Sequence, residues 1–212
     1  MNNSSLFREL VRKAFHLSSV FILVGYTLLL NYTSSRVAIL AITGLLLLLL
    51  EIEYVRLEHR PRIAEAIDGF LRKHEKTQLS SAVFLVISII ISFAVFDYWV
   101  AFLALSMAVF GDLFAAIFGR AFGKTKIYRN KTYVGTLAGL AANMIVGILT
   151  VPDLAVLFIP MAITASLFEL FTRKMDDNLT VPLFAGFVGQ MIVRFFVLGL
   201  PPVAFTLFGL FS

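Results

Sequence analysis

A carboxylate in an apolar segment is the first feature of this sequence that suggests chemistry. Asp112 lies eight residues before Arg120, which is about 12 Å along a helix at ~1.5 Å per residue. An ionisable side chain inside a membrane helix costs roughly 2.5–3.5 kcal/mol on insertion scales, so it is a functional candidate. Gly111, Ala115 and Gly119 recur at every fourth position and are typical of close helix packing. Packing explains these small residues but not the carboxylate.

A basic loop with two glycines follows the segment that contains Asp112. Charge-assisted donors and small backbone positions that suit a polyphosphate lie together there: Gly119, Arg120, Gly123, Lys124 and Lys131. The stretch GRAFGKT at 119–125 is one residue shorter than a P-loop, and it emerges from an apolar helix rather than a strand. We therefore reject the P-loop interpretation. Charge that merely sets membrane topology is the alternative explanation for this loop.

The start of the next apolar segment extends the candidate phosphate site. Lys131, Thr132 and Gly135 lie where a helix is predicted to begin. Unoccupied backbone N–H groups and the positive end of the helix dipole are expected to point back towards the basic loop. The sequence therefore predicts that these three residues contribute to phosphate binding.

A second group of oxygen ligands stands before the last apolar segment. Asp176, Asp177 and Asn178 offer hard oxygen ligands of the kind that Mg²⁺ shares with phosphates, and Asn178 could also contact the phosphates directly. The alternative is a helix cap formed by Asp177 or Asn178, with Pro182 in the first turn. Glu169 is a further candidate metal ligand, for which an i,i+4 pair with Arg173 is the alternative.

The composition indicates that these residues belong to a membrane protein. The chain has 212 residues, of which 59% are hydrophobic and 15% charged, whereas soluble domains have roughly 45–50% and about 25%. The absence of cysteine excludes disulfides, thiolate metal sites and cysteine nucleophiles. We predict one all-α domain over 1–212, a polytopic bundle of about seven transmembrane helices. The predicted spans are 15–32, 36–55, 79–96, 99–118, 134–151, 154–171 and 180–199.

The distribution of positive charge predicts the topology of the bundle. Sixteen of the 18 Lys and Arg residues fall in the N-terminus and in alternate loops. The positive-inside rule therefore places the N-terminus and every candidate site residue at the cytoplasmic face. After Pro61, apolar residues recur with helical spacing, which predicts an amphipathic interfacial helix near 61–73, with a plain solvated connector as the alternative. The tail at 200–212 is too short to span again.

Five motifs, in chain order, resemble the polyprenol kinase family, which comprises dolichol kinases, phytol kinases and CTP-dependent diacylglycerol kinases. The motifs are RKAFH at 12–16, EIEYVRL at 51–57, GDLFAAIFGRAFGK at 111–124, NKTYVGTLAG at 130–139, and Glu169 with DDNLTVPL at 176–183. Phosphatidate cytidylyltransferases carry a similar central block. They, and many of the kinases, have an acidic residue where this chain has Tyr133-Val134, so no ligand role is carried over to those two positions.

The resemblance implies transfer of the γ-phosphate of CTP to a long-chain lipid alcohol, with Mg²⁺. The lipid would be a polyprenol or dolichol, geranylgeraniol, phytol or diacylglycerol. Carboxylates of Asp112 with Asp176 or Asp177, and Glu169, would bind the metal, and Lys13 would join the basic residues at the phosphates. Asp176 or Asp177, or else His16, would orient or deprotonate the lipid hydroxyl. For His16, one turn into the first span, a packed side chain is the alternative.

Three other classes of protein compete with a kinase. The first is a CTP:lipid-phosphate cytidylyltransferase, which would release pyrophosphate. The others are a transporter or channel and a non-enzymatic scaffold, although the polar residues gather at one face and no inverted repeat is evident. We expect membrane lipids, a nucleoside triphosphate and a lipid alcohol as partners, and no nucleic acid. Homo-oligomerisation is left open.

Overall fold

The computed structural model describes residues 19–59, 78–129, 131–172 and 175–203. Within these residues the chain forms seven helices and one short hairpin, so the predicted all-α polytopic bundle is confirmed. The helices are α1 (Ser19–Tyr32), α2 (Ser35–Glu58), α3 (Ser81–Val95), α4 (Tyr98–Phe122), α5 (Tyr133–Thr150), α6 (Ala155–Phe171) and α7 (Asp177–Phe196). The hairpin strands are β1 (Lys126–Tyr128) and β2 (Lys131–Thr132).

Four of the seven helices are long and apolar enough to cross a membrane. These are α2, α4, α5 and α7, whereas α1, α3 and α6 are shorter apolar helices of 14, 15 and 17 residues. At ~1.5 Å per residue the shorter helices are roughly 21–26 Å long, against a hydrocarbon core of about 30 Å. Each of the seven coincides with one predicted span, although their ends differ by several residues.

The largest difference from the predicted spans lies at the C-terminal end of α4. This helix continues to Phe122, four residues past the predicted end, so Gly119 and Arg120 are helical rather than part of a loop. Apolar residues on both sides of Arg120 allow the helix to continue, and Gly123 ends it. Asp112 and Arg120 therefore share one continuous helix, as their assumed ~12 Å separation requires.

The helix α4 is the centre of the bundle, because it contributes to both apolar clusters. Val100, Leu103 and Met107 pack with α6 and α7 in one cluster. Ala101 and Leu105, on the opposite side of α4, pack with α1, α2 and α3 in the other. The functional candidate Asp112 is thus carried by the helix that packs against both halves of the bundle.

Small residues bring α4 and α5 into close contact. A Cβ atom added to Gly135 of α5 would lie 2.7 Å from the carbonyl oxygen of Ala115 and 3.0 Å from the Cα of Gly119. One turn further along α5, a Cβ on Gly139 would lie 3.1 Å from the carbonyl oxygen of Gly111. The helix-packing interpretation of the small-residue repeat in α4 is therefore confirmed.

The segment between α4 and α5, predicted as a loop, contains an antiparallel hairpin. Lys126 pairs with Thr132 and Tyr128 with Lys131. Arg129, at the turn, has a φ of 53°, in the left-handed region that non-glycine residues seldom adopt. Strands of three and two residues leave too short an alternating pattern for sequence-based prediction. The hairpin fixes Lys131 immediately before α5.

Several predictions fall on residues outside the described part of the chain. They concern Lys13 and His16, the interfacial helix near 61–73, the suggested partner Arg173, and the tail from 204 onwards. These remain predictions from the sequence.

Candidate active site

An ion pair between the hairpin and α6 forms the centre of the candidate site. The Nζ atom of Lys131, in β2, donates a hydrogen bond to Oε1 of Glu169, near the end of α6, at 2.7 Å. The Glu169 side chain is 9% exposed and that of Lys131 is 37% exposed. Glu169 therefore bonds a residue far away in sequence, rather than only a neighbour on its own helix.

Two further carboxylates act on the same ammonium group. Burial alone would lower the pKa of Lys131, but the charge and hydrogen bond of Glu169, with the charges of Asp112 and Asp177, raise this pKa above its usual value of 10.5. The stabilising contribution of the ammonium charge is complete below pH 10.5 and is lost as the pH rises through the folded-state pKa. Lys131 therefore stays charged at physiological pH.

These four residues come from four elements that meet at one end of the bundle. Asp112 and Asp177 are both half-buried and lie on α4 and at the first residue of α7. The pairing of Lys131 with Glu169 adds β2 and α6. We call Asp112, Lys131, Glu169 and Asp177 the charged cluster. The structure thus brings together three carboxylates and a lysine that the sequence singled out separately.

The adjacent carboxylate Asp176 has a different set of contacts. It is the N-cap of α7, and its Oδ1 accepts hydrogen bonds from the backbone N–H of Asn178 at 3.0 Å and from Nδ2 of Asn178 at 2.7 Å. Its Oδ2 accepts from the hydroxyl of Ser81, on α3, at 2.8 Å. The prediction that Asp177 or Asn178 caps this helix is wrong by one or two positions. Capping by Asp176 leaves Asp177 in the first turn, beside Lys131.

Pro182 was also predicted one turn too early. Because α7 begins at Asp177 rather than at 180, Pro182 lies in the second turn, where its missing N–H cannot bond the carbonyl of Asn178. Asn178 is itself buried and anchored to Asp176 through its amide. The contact of Asn178 with phosphate stays a prediction from the sequence.

A second buried ion pair supports this end of the bundle from α2. Arg56 bonds Glu53, one turn earlier, and its Nη2 also donates to the carbonyl oxygen of Gln78 at 2.9 Å. Gln78 lies just before α3, whose first residue, Ser81, donates to Asp176. The Glu53–Arg56 pair thereby holds the start of α3 in place.

The predicted phosphate-binding residues at the start of α5 have structural contacts of their own. Thr132 caps α5 by accepting a hydrogen bond from the N–H of Gly135 at 3.1 Å. The N–H of Tyr133 donates to the carbonyl of Thr125 at 3.2 Å. The expectation of unoccupied N–H groups is therefore wrong for Tyr133 and Gly135. Their satisfied bonds make the helix start rigid.

The glycines near this junction are explained by contact with Thr132. Cβ atoms on Gly119 and Gly123 would lie 3.1 Å and about 2.4 Å from its Oγ1, respectively. Arg120 and Lys124, by contrast, have exposed side chains at the end of α4 and just beyond it. Phosphate binding by the glycines remains a prediction, and the two exposed cations have room to meet a ligand.

The three carboxylates of the charged cluster are candidate ligands for a divalent cation. Within the described ranges, no three His, Cys, Asp or Glu side chains form a ready-made cage for a metal. Mg²⁺ does not need one, since it keeps several waters and binds one or two carboxylates with substrate phosphates. The formal charge of the three carboxylates exceeds that of Lys131 by two. The donor set therefore suits Mg²⁺ that arrives with a nucleotide.

Sequence reasoning missed one polar contact close to this site. Asn143, in α5, is 1% exposed and donates from Nδ2 to the hydroxyl of Ser166 in α6 at 3.1 Å. Ser166 lies three residues before Glu169, so this bond fixes α6 against α5 near the charged cluster. An Asn within an apolar helix is the signal that could have identified it, because polar side chains there form interhelical bonds.

Comparison with known proteins gives a family for the whole bundle. A model described as the cytidylyltransferase family matches residues 5–209. No curated protein and no solved structure matches the chain significantly. The match spans all seven helices, the hairpin and the charged cluster, and so this chain belongs to the cytidylyltransferase family.

Proposed function

We propose that this protein is a CTP-dependent kinase that transfers the γ-phosphate of the nucleotide to a long-chain lipid alcohol or diacylglycerol at the cytoplasmic face of the membrane. The observation that carries the proposal is the charged cluster, in which Lys131 is bonded to Glu169 and lies within the field of Asp112 and Asp177. Phosphoryl transfer needs mainly positioning and neutralisation of charge, and this cluster supplies groups for both.

In this reaction the lipid hydroxyl oxygen attacks the γ-phosphorus of CTP. The new P–O bond forms as the bond from the γ-phosphorus to the β–γ bridging oxygen breaks, and CDP leaves with that electron pair. The hydroxyl proton passes to Asp177, which lies in the first turn of α7 within the field of Lys131. Lys131, Arg120 and Lys124 offset the negative charge of the phosphates.

Mg²⁺ would be held by Asp112 with Glu169, and when bound it would neutralise charge on the phosphate oxygens. Glu169 accepts a bond from Lys131, so the lysine also keeps this carboxylate oriented before the nucleotide arrives. The packing of Gly135 against Ala115 and Gly119 keeps Lys131 next to α4. The chain's own contribution is a pre-formed arrangement of charge.

The lipid tail is proposed to lie against the outer side of α4. The contact between α4 and α5 leaves no room for a chain, because Gly135 lies directly against Ala115. Phe114, Phe118 and Phe122 form a stacked and partly exposed row on α4, beginning two residues after Asp112. This row offers an apolar surface to an isoprenoid or acyl chain near the cytoplasmic end of α4.

The second candidate is a CTP:lipid-phosphate cytidylyltransferase, which the description of the matched family favours. There, a lipid phosphate would attack the α-phosphorus, and pyrophosphate would leave. The same cations and metal would serve that reaction. The kinase is preferred because the RKAFH opening and the DDNLTVPL segment resemble the polyprenol kinases.

The position of the label in CTP separates the two reactions. Purified protein in lipid nanodiscs receives CTP labelled at the α- or the γ-phosphate, with phosphatidate or one of several lipid alcohols, and the lipid is extracted. The proposal expects γ-label in the lipid fraction with CDP released. Label from the α-phosphate, with pyrophosphate released, would establish the cytidylyltransferase instead, and no label from either would exclude both.

A further inference from the structure

A cavity of about 540 Å³ opens beside the hairpin, outside the apolar length of the helices. The residues that line it are Tyr128, Arg129, Lys131, Leu170 and Thr172. They provide an aromatic ring, an aliphatic wall, two cations and a hydroxyl group, and no carboxylate. This combination suits an anionic ligand that also has a flat, uncharged part.

The hairpin places the ring and one cation side by side. Tyr128 and Lys131 are directly paired across the two strands, so their side chains project to the same face of the hairpin. The ring of Tyr128 contacts Phe171 of α6 edge-on, with ring centres 5.9 Å apart, yet Tyr128 is 39% exposed. Phe171 therefore holds the ring in place without covering it.

The cavity is continuous with the charged cluster through Lys131. This lysine lines the cavity and also bonds Glu169, and Leu170, the next residue of α6, forms part of the cavity wall. A ligand with phosphates at the charged cluster would therefore extend its other end past Lys131 towards Tyr128. The far wall is fixed to α7, because Thr172 and Thr180 share a hydrogen bond of 3.2 Å.

We propose that this cavity is the nucleoside subsite, in which the base of the nucleotide stacks on Tyr128 while its phosphates extend past Lys131 to the charged cluster. Stacking on an aromatic ring suits every base, because each has a flat π-face. Arg129 and Thr172 offer hydrogen-bond donors to the ribose or base. This assignment rests on the proposed function, since it presumes that a nucleotide binds at the charged cluster.

The position of the cavity favours a nucleoside over the lipid. Its lining includes Arg129 and Lys131, and it lies against the hairpin, which contains no apolar span. A lipid chain would need a continuous apolar wall within the bilayer, as the phenylalanine row of α4 provides. The lipid and the nucleoside would therefore approach the charged cluster from different sides.

The test compares CTP with inorganic tripolyphosphate, which has the phosphates but no nucleoside. Dissociation constants of both ligands are measured on the full chain in nanodiscs, by competition against labelled CTP. We expect Tyr128→Ala to weaken CTP binding by roughly 5- to 100-fold, the range for loss of one stacked base, and to leave tripolyphosphate binding unchanged. Tyr128→Phe, which keeps the ring, is expected to bind CTP within about threefold of wild type.

Two further variants serve as controls for the comparison of CTP with tripolyphosphate. Tyr133→Ala is the matched control, because Tyr133 is an exposed tyrosine in the same region but does not line the cavity. Lys131→Met is expected to weaken both ligands. The subsite is wrong if Tyr128→Ala leaves CTP binding unchanged, weakens both ligands equally, or raises only the KM for lipid. A wild-type protein that binds neither ligand overturns the proposed function, and the subsite with it.

Discussion

Lys131 is the residue on which the charged cluster depends. Its ammonium bonds a nearly buried Glu169 and lies in the field of two other carboxylates. Without it, Glu169 would lose the cation that it bonds in a nearly buried position. Lys131 therefore has a structural role in the absence of ligand as well as the proposed role at the phosphates.

The two roles of Lys131 are separable by a double variant. Lys131→Met leaves Glu169 buried without this partner, which we expect to destabilise the protein by about 1–3 kcal/mol, less than for a fully buried pair because Lys131 is partly exposed. Adding Glu169→Gln removes the charge of that carboxylate and should restore the thermal unfolding temperature. Phosphate transfer should remain at least 100-fold reduced in both. If the double variant regains turnover, the pair is purely structural.

Asp176 and Asp177 are expected to differ although they are adjacent. Asp176→Ala removes the cap of α7 and the bond to Ser81, so the free energy of unfolding should fall by about 1–2 kcal/mol. Asp177→Asn should lower stability by less than about 1 kcal/mol but reduce phosphate transfer at least 100-fold.

The matched control for Asp177 is Asp176→Asn, since asparagine also caps helices. Unfolding and turnover are measured on the same preparations of each variant. We expect Asp176→Asn to retain at least tenfold more activity than Asp177→Asn. The reverse order would show that the capping carboxylate takes part in the reaction.

At the scale of the elements, the contact between α4 and α5 holds the charged cluster together. Gly135 brings the start of α5, and with it Lys131, against the helix that carries Asp112. The bond between Asn143 and Ser166 then fixes α6, which carries Glu169. Three helices thus set the positions of Asp112, Lys131 and Glu169, and no single loop does so.

A methyl group at Gly135 should disturb this contact. The added Cβ of Gly135→Ala would lie 2.7 Å from the backbone oxygen of Ala115, which cannot move without shifting α4, so we expect a loss of about 1–3 kcal/mol. Gly44→Ala in α2 is the control, since nothing lies within 4 Å of its added Cβ. That variant should be neutral, or more stable by about 0.5–1 kcal/mol. Equal unfolding temperatures for the two variants would contradict the close contact between α4 and α5 at Gly135.

The helices were predictable from the sequence, whereas the hairpin and the cap of α7 were not. All seven helices were predictable because long apolar runs are separated by charged or turn-forming residues. The hairpin was missed, since its strands are too short to show alternation. The cap of α7 was misplaced by one or two residues because Asp176, Asp177 and Asn178 are all good caps, and the sequence does not show that Asp176 contacts Ser81 of α3.

For the whole molecule, the cluster itself was only partly predictable. The sequence identified Asp112, Lys131, Glu169 and Asp177 and placed them at one membrane face, from the distribution of charge. It offered no means of predicting that Lys131 bonds Glu169, because that pairing depends on how α6 packs beside the hairpin. The cavity beside Tyr128 was likewise not foreseen, since it is formed by residues from two separate elements.

The predicted topology is directly testable because the chain contains no cysteine. Single cysteines are introduced at two exposed positions, Lys126→Cys in the hairpin and Asp153→Cys in the connection between α5 and α6. In intact cells, a membrane-impermeant maleimide should label only the second, and in inside-out vesicles only the first. Labelling of Lys126→Cys in intact cells would place the charged cluster on the outer face, away from cytoplasmic nucleotide.

One paired measurement tests whether the charged cluster performs phosphate transfer. The rate of γ-phosphate transfer from CTP to lipid is compared between Asp112→Asn and Asp153→Asn, an exposed carboxylate in the connection between α5 and α6. We expect the first variant to lose at least 100-fold in turnover and the second to match wild type, at unchanged unfolding temperature. A folded Asp112→Asn protein that turns over at the wild-type rate would show that the charged cluster does not perform phosphate transfer.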